Sequence, residues 1–268
     1  MMTAFPARRP SSLVVVAAMG LCFGLGGCAT APVEESLGDA SSPPSEEVAA
    51  ELPPPGAVTA AIEPAGPDPE ALYWWSAWFH FTWTAEGGPD FNRDALVADL
   101  IVEPVIRTHW QRLPLWRFHR RAAPDVAGHR FSFLFYTDPT TAAAIYRDIE
   151  ANPLMARLGE AGILDRFVKT DPAANDNRAI GGTSDPNWSP ALQEAWPTFI
   201  MGVSRTWLGL INQGVNEATV AALPLEDQLA YYATVNGDVT QVWSAEGRHG
   251  FLHHLNALFG YQPLLMRY

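Results

Sequence analysis

Cysteine and lysine are almost missing from this 268-residue chain: it has two of the first, Cys22 and Cys28, and one of the second, Lys169. Both cysteines fall in the first 28 residues, which excludes a disulfide scaffold, a thiolate metal site and a cysteine nucleophile from the remainder. No apolar run reaches the ~18 residues that a membrane-spanning helix needs. The longest, Leu13–Gly27, is interrupted by glycine. Several catalytic signatures are also absent: no Gly-x-Ser-x-Gly elbow, no P-loop, no Gly-x-Gly-x-x-Gly and no His-Glu-x-x-His. Excess positive charge is lacking too. The formal net charge is -12, which argues against a non-specific nucleic-acid binder.

What remains is ample for a core: 48% hydrophobic and 11% aromatic residues rule out wholesale disorder. Charge is unevenly placed. Residues 1–28 carry two arginines and no acid, whereas residues 29–70 carry nine acids and neither Lys nor Arg. Arg8-Arg9 followed by the apolar stretch to Gly27 reads as a secretion signal. The stretch ends in Leu25-Gly26-Gly27-Cys28, which resembles the bacterial lipobox. That resemblance implies removal of residues 1–27, a diacylglycerol on the Cys28 thiol and an acyl chain such as palmitate on its new amino group. Several acyl chains at one residue anchor a protein stably. An ordinary signal peptide cut near Cys28 would export the chain as well. Ala29, rather than Asp, follows the cysteine; in a two-membrane bacterium the resemblance then implies the periplasmic face of the outer membrane. Residues 28–70 follow as a lipidated cysteine and a tether of nine Pro, nine Ala and nine acids without an aromatic residue. Such a segment cannot bury enough surface to fold alone, and as a coil it spans roughly 35 Å.

Residues 71–268 are expected to form a single α+β globular domain, with a sheet half over 71–169 and a helical half over 189–268. Tyr73–Thr84 alternates with period two and is rich in aromatics, which predicts a strand. A helix over Asn92–Ile106, perturbed by Pro104, leads to a hairpin of Leu115–Arg121 and His129–Tyr136. Asp138 caps a helix opened by Pro139, Asn152-Pro153 starts a short second one, and Ile163–Lys169 is the fourth strand. The order β-α-β-β-α-β is that of a ferredoxin-like antiparallel sheet. A polar loop, Thr170–Asn187, is expected to be flexible. C-terminal helices should follow: Pro190 to about Gln213, Pro224 to about Thr234, and a third started by an Asp238/Gln241 capping box and running past His253.

The sheet half resembles the C-terminal domain of lantibiotic dehydratases and the related thiopeptide-type biosynthesis proteins. The resemblance rests on the aromatic first strand, Ile101-Val102-Glu103-Pro104, Leu115-Trp116-Arg117-Phe118 and Ala161-Gly162-Ile163-Leu164. It implies the fold alone. The family's His-Leu-Arg motif does not occur, and Asp138-Pro139 comes after the third strand, so no activity or site residue is carried over.

The most informative cluster is basic. Between Arg107 and Arg130 lie six Arg and three His against one acid, Asp125. Alternation places Trp78, His80, Arg117, His119, Arg121, Arg130, Ser132 and Tyr136 on the sheet face that two helices packed on the other side would leave open. Arginines grouped in this way suit carboxylate or phosphate ligands, with Trp78 and Tyr136 as stacking surfaces. The competing expectation is that the C-terminal helices cover this face and pair its arginines with Glu194, Glu217, Glu226 and Asp227. His249 and His253 stand four apart on a helix, with His254 adjacent, but Gly247 and Gly250 weaken that helix and no metal site is assigned. Asp171, Asp176, Asn177 and Asp185 do not match an EF-hand spacing, and no cofactor is expected. Two function classes follow. One is a non-catalytic envelope lipoprotein that binds a partner protein, a cell-wall component or a small anion, its lipid on Cys28 in the membrane. The alternative is an envelope hydrolase using His80 or His119 with an arginine clamp.

Overall fold

The computed structural model describes residues 67–262. The signal segment, Cys28 and nearly all of the tether lie outside them. The described part is mixed α/β. Strands β1 (Tyr73–Phe81), β2 (Leu115–Ala122), β3 (His129–Thr137) and β4 (Leu164–Lys169) form one sheet in the order β2-β3-β1-β4, antiparallel throughout. Helices α1 (Asn92–Val97) and α2 (Glu103–His109) connect β1 to β2. Helices α3 (Pro139–Ala151) and α4 (Pro153–Glu160) connect β3 to β4. After β4 come α5 (Pro190–Gly214), α6 (Glu217–Ala221), α7 (Leu225–Gly247) and α8 (His254–Leu258). No helix of the described residues is long and apolar enough to cross a membrane.

Alternation sorts the sheet into two faces. Tyr73, Trp75, Ala77, Phe79 and Phe81 of β1 share the first face with Phe131, Phe133 and Phe135 of β3 and with Trp116 and Phe118 of β2, and all are buried. Leu96, Ile101, Ile145, Ile149 and Leu158 from the four connecting helices close that core. Most of the core's aromatic rings meet edge-on or tilted, as between Trp75 and Tyr146 or Phe118 and Trp207, a geometry that their quadrupoles favour, while Phe133 and Phe135 stack. Edge strand β2 is not left open, because the Ser204 hydroxyl on α5 accepts from the Phe118 amide at 3.0 Å. That contact meets one of the free backbone donors that make sheet edges prone to aggregation.

The helix expected over Asn92–Ile106 is split by a π-helical stretch, Ala98–Val102, just before Pro104. Pro104 offers no N–H to the Leu100 carbonyl one turn earlier. Asn152 Nδ2 donates to that oxygen instead, at 2.9 Å, while Asn152 Oδ1 accepts from the Leu154 amide and caps α4. One side chain therefore serves two helices. Asn152→Ala should cost about 1–2 kcal/mol, from the lost cap and the orphaned carbonyl. A urea titration checks this, and a change below a few tenths of that would refute the double role.

Two expectations for the second half need correction. The break expected between Thr234 and Asp238 does not exist: α7 runs unbroken through Gly237, and Asp238 lies inside it. Gln228, Tyr232, Val235 and Val239 form a continuous buried stripe, and packing along that stripe outweighs the weak helix preference of glycine. The loop over Thr170–Asn187 is ordered against the sheet. The Trp74 amide donates to the Asn177 carbonyl (2.8 Å), Trp74 Nε1 to the Ile180 carbonyl (2.8 Å) and Asn175 Nδ2 to the Trp74 carbonyl (3.0 Å). Asp171 and Asp185, considered above as cation ligands, accept from the Ala173 and Asn187 amides and act as turn caps.

Candidate functional site

The basic cluster divides between the two faces. Arg120 and His129 point to the first face, where both meet the fully buried Asp94 of α1. His129 Nε2 lies 2.9 Å from Asp94 Oδ1, and Arg120 Nε lies 2.8 Å from Asp94 Oδ2. The Arg120 guanidinium is held between the Phe91 and Trp207 rings, at 4.9 and 4.8 Å from their centroids, and reaches the Asn236 side chain on α7 at 3.3 Å. This network is structural, joining α1, β2, β3 and α7. Sequence reasoning counted these two residues within a single basic run. The alternation of β2 and β3 was the signal that separates them.

The second face carries the rest in register. One row runs across all four strands: Arg121 opposite Arg130, Arg130 opposite His80, and His80 opposite Arg166. The next row is His119, Ser132, Trp78 and Val168, and the one beyond begins with Arg117 and Leu134. Arg166 was not anticipated; the β4 alternation that brings it opposite His80 would have found it. Like charges directly opposite one another on neighbouring strands are unfavourable by about 0.2–1 kcal/mol per pair, so such a row needs compensation.

Some of that compensation is visible. Arg121 makes a bidentate ion pair with Asp125 in the β2–β3 turn, which holds the Asp125 carboxyl well below the usual range. Arg166 lies 3.4 Å from exposed Asp165. Arg130 stacks over Trp78 with its Cζ 4.9 Å from the ring centroid. Arg117 and Arg130, however, have no carboxylate partner among the described residues. Arg117 donates through Nη2 to the Thr183 carbonyl at 3.0 Å, a neutral acceptor. Burial pushes the Arg117 and Arg130 guanidinium groups below their ordinary pKa, with Arg121 adding to the effect at Arg130 and Asp125 opposing it. Four buried polar atoms around this patch lack any hydrogen-bond partner: Arg117 Nε, Arg130 Nε, Ser132 Oγ and Thr183 Oγ1.

The C-terminal helices do not supply the expected acids. Helix α5 packs along β2 with Trp207 on Phe118 and Phe131, both on the first face. Glu194, Glu226 and Asp227 form no ion pair with a sheet arginine among the described residues. The Glu217 side chain lies outside them. The ordered loop covers the Trp74 end of the second face, where the Tyr136 hydroxyl donates to the Arg178 carbonyl at 2.6 Å, and reaches Arg117 through the Thr183 carbonyl. Tyr136 thus shares the face but is tied to the loop. The remaining patch comprises Trp78, His80, Arg117, His119, Arg121 and Arg130, with His119 exposed, His80 buried and Arg117 held at its edge by the loop.

Neither histidine of the patch has a carboxylate to orient it. His80 is buried with Nδ1 3.4 Å from Arg166 Nη2, and His119 is exposed. Both titrate below the ordinary histidine value. At His80 desolvation is the main cause, then Arg166 and Arg130, opposed by the Ala127 backbone and Asp165. At His119 desolvation is again first, followed by Arg117, Arg130 and Arg121. A histidine whose folded-state pKa is depressed binds fewer protons folded than unfolded between the two values. Stability should therefore fall as pH drops below ~6.5, the unfolded value, and this loss should level off once the folded state also protonates. Urea unfolding at pH 7 and pH 5 checks this against His119→Gln. The variant should lose less than the parent, and an equal loss would contradict the assignment.

At the far end of the chain a π-helical stretch, Arg248–His253, brings His249, His253 and His254 together, with ring centroids 5.0, 5.3 and 5.4 Å apart. His249 and His253 stack face to face, which presents ring faces to each other in place of converging nitrogens. Among the described residues no group of His, Cys, Asp or Glu is arranged to hold a metal ion. No protein-family model, curated protein or solved structure matches the chain.

Proposed function

We propose that the chain is a lipid-anchored bacterial envelope protein whose folded part is a non-catalytic binding module for an anionic ligand, with the second sheet face as the docking surface. The anchor rests on the lipobox resemblance at Cys28, and the tether would set the module's reach from the membrane. A ferredoxin-like reading of the domain is supported by the strand order β2-β3-β1-β4 and by the two helical connections, each joining strands separated by one antiparallel neighbour. The observation that carries the functional reading is the pair Arg117 and Arg130: two charged groups with buried, unpartnered donors and, among the described residues, no ion pair to a carboxylate. Binding fits this patch better than hydrolysis, because no described carboxylate orients His80 or His119 as a base.

Two experiments test the reading. Polyglutamate, used as an anionic probe, should bind the full-length protein with an affinity that falls steeply as salt rises, as ion release requires. Affinity independent of salt, or no binding at low salt, would overturn the anionic-ligand reading. Cys28→Ser should abolish acyl labelling and release the protein from the membrane fraction. Retained label in that variant would overturn the anchor.

A further inference from the structure

The arrangement of the unpartnered donors narrows the ligand further, on the premise that the second face does bind an anion. Ser132 is 1% exposed and sits in register between exposed His119 and half-buried Trp78. Its hydroxyl, Arg130 Nε from the same strand, Arg117 Nε from β2 and Thr183 Oγ1 from the loop are all buried and all unpartnered. These donors come from two strands and from a loop tied to the sheet by the Arg117–Thr183 contact. A carboxylate offers two acceptor oxygens, whereas a phosphate or sulfate group offers three or more, closer to the four unpartnered donors gathered here. Charge points the same way: Arg117 and Arg130 form no ion pair with a carboxylate among the described residues, and the two positive charges match a dianion.

We propose that Arg117, Ser132 and Arg130 hold a tetrahedral dianion, a phosphate or sulfate group, and that His119 takes up a proton as it binds. The charged groups facing His119 are Arg117 and Arg121 from its own strand and Arg130 from β3. In the free protein they disfavour an imidazolium. A dianion seated among them cancels that positive field, and the imidazolium then adds a donor to the bound oxygens. No bond of the ligand is made or broken: one proton passes from solvent hydronium or buffer acid to the free ring nitrogen of His119, forming its second N–H.

Inorganic sulfate is the probe, because it stays a dianion across the neutral range and leaves His119 as the titrating partner. NMR of the full-length protein should show the His119 titration midpoint rising by about one unit or more in saturating sulfate, compared with chloride at equal ionic strength. Sulfate affinity should weaken with rising pH, by at most about tenfold per unit. Ser132→Ala and Arg117→Gln should each lower it by about tenfold or more, with the amide spectrum otherwise preserved. Vesicles of phosphatidylcholine containing phosphatidic acid form a second arm. Binding to them as well as to sulfate supports a headgroup as the source, and binding to sulfate alone supports a soluble one. An unmoved His119 midpoint overturns the proposal, as does acetate binding as tightly as sulfate or an adventitious ion only, held equally by the variants. If polyglutamate still binds in those cases, the broader anion reading stands; if it does not, both fail.

Discussion

Asp94→Ala is expected to lower the unfolding free energy by about 3–5 kcal/mol, among the largest losses any single change in this chain should produce. The carboxylate is fully buried and engages two side chains at once, the His129 ring at 2.9 Å and the Arg120 guanidinium at 2.8 Å. Its removal leaves Arg120 charged between Phe91 and Trp207, with only the Phe91 carbonyl and the Asn236 amide oxygen to accept from it. His129 Nδ1 already has no partner, so losing the contact at Nε2 leaves the whole ring unsatisfied. A domain of this size has roughly 5–15 kcal/mol to lose, so the alanine variant can approach unfolding at 37 °C. Asp94→Asn keeps the shape and one acceptor and should show the same direction with a smaller loss. Urea unfolding of both variants at pH 7 is the check. A loss below ~1 kcal/mol for the alanine variant would mean that the network does not hold the sheet to α1 and α7.

The second large effect concerns binding. Replacing both Arg117 and Arg130 by Gln should weaken the anionic ligand by roughly 100-fold, since hydrogen bonds to charged groups contribute about 1.5–3 kcal/mol each. The two changes touch the same ligand, so their effects should not simply add. Arg121→Gln should matter less, because Arg121 is already neutralised by Asp125. Polyglutamate titrations of the three single variants and the double variant would rank them. Equal losses at all three positions would indicate a diffuse basic field in place of a defined patch.

The parts of the fold that could be read from sequence are those governed by local rules. Period-two alternation with aromatics gave β1, β2 and β3 to within a few residues at each end. Asp138-Pro139 and Asn152-Pro153 marked the starts of α3 and α4 because a side-chain cap and a fixed φ act within a few residues. The failures came where distant packing decides. The stretch from Thr234 to the Asp238/Gln241 capping box read as a helix break, yet the stripe from Gln228 to Val239 carries α7 through it. The loop from Thr170 read as flexible and instead hydrogen-bonds along β1 through Asn175, Asn177 and Ile180.

The candidate patch was equally legible as a face, since alternation alone places His80, Arg117, His119, Arg121 and Arg130 together. Which arginines pair with acids was not legible. Asp94, far from the hairpin in sequence, takes Arg120, whereas Glu194, Glu226 and Asp227 form no ion pair with a sheet arginine among the described residues. Charge partners follow from tertiary packing, and no periodicity in β2 or β3 encodes them.

The unfolding free energy of the Arg117→Gln/Arg130→Gln double variant, measured in low-salt chloride buffer at pH 7, tests the central claim most directly. If the two arginines await an external anion, the change removes like-charge repulsion from the sheet and breaks no ion pair, so stability should hold or rise by up to about 1 kcal/mol. A loss of about 3 kcal/mol or more would reveal an internal carboxylate partner and contradict the account.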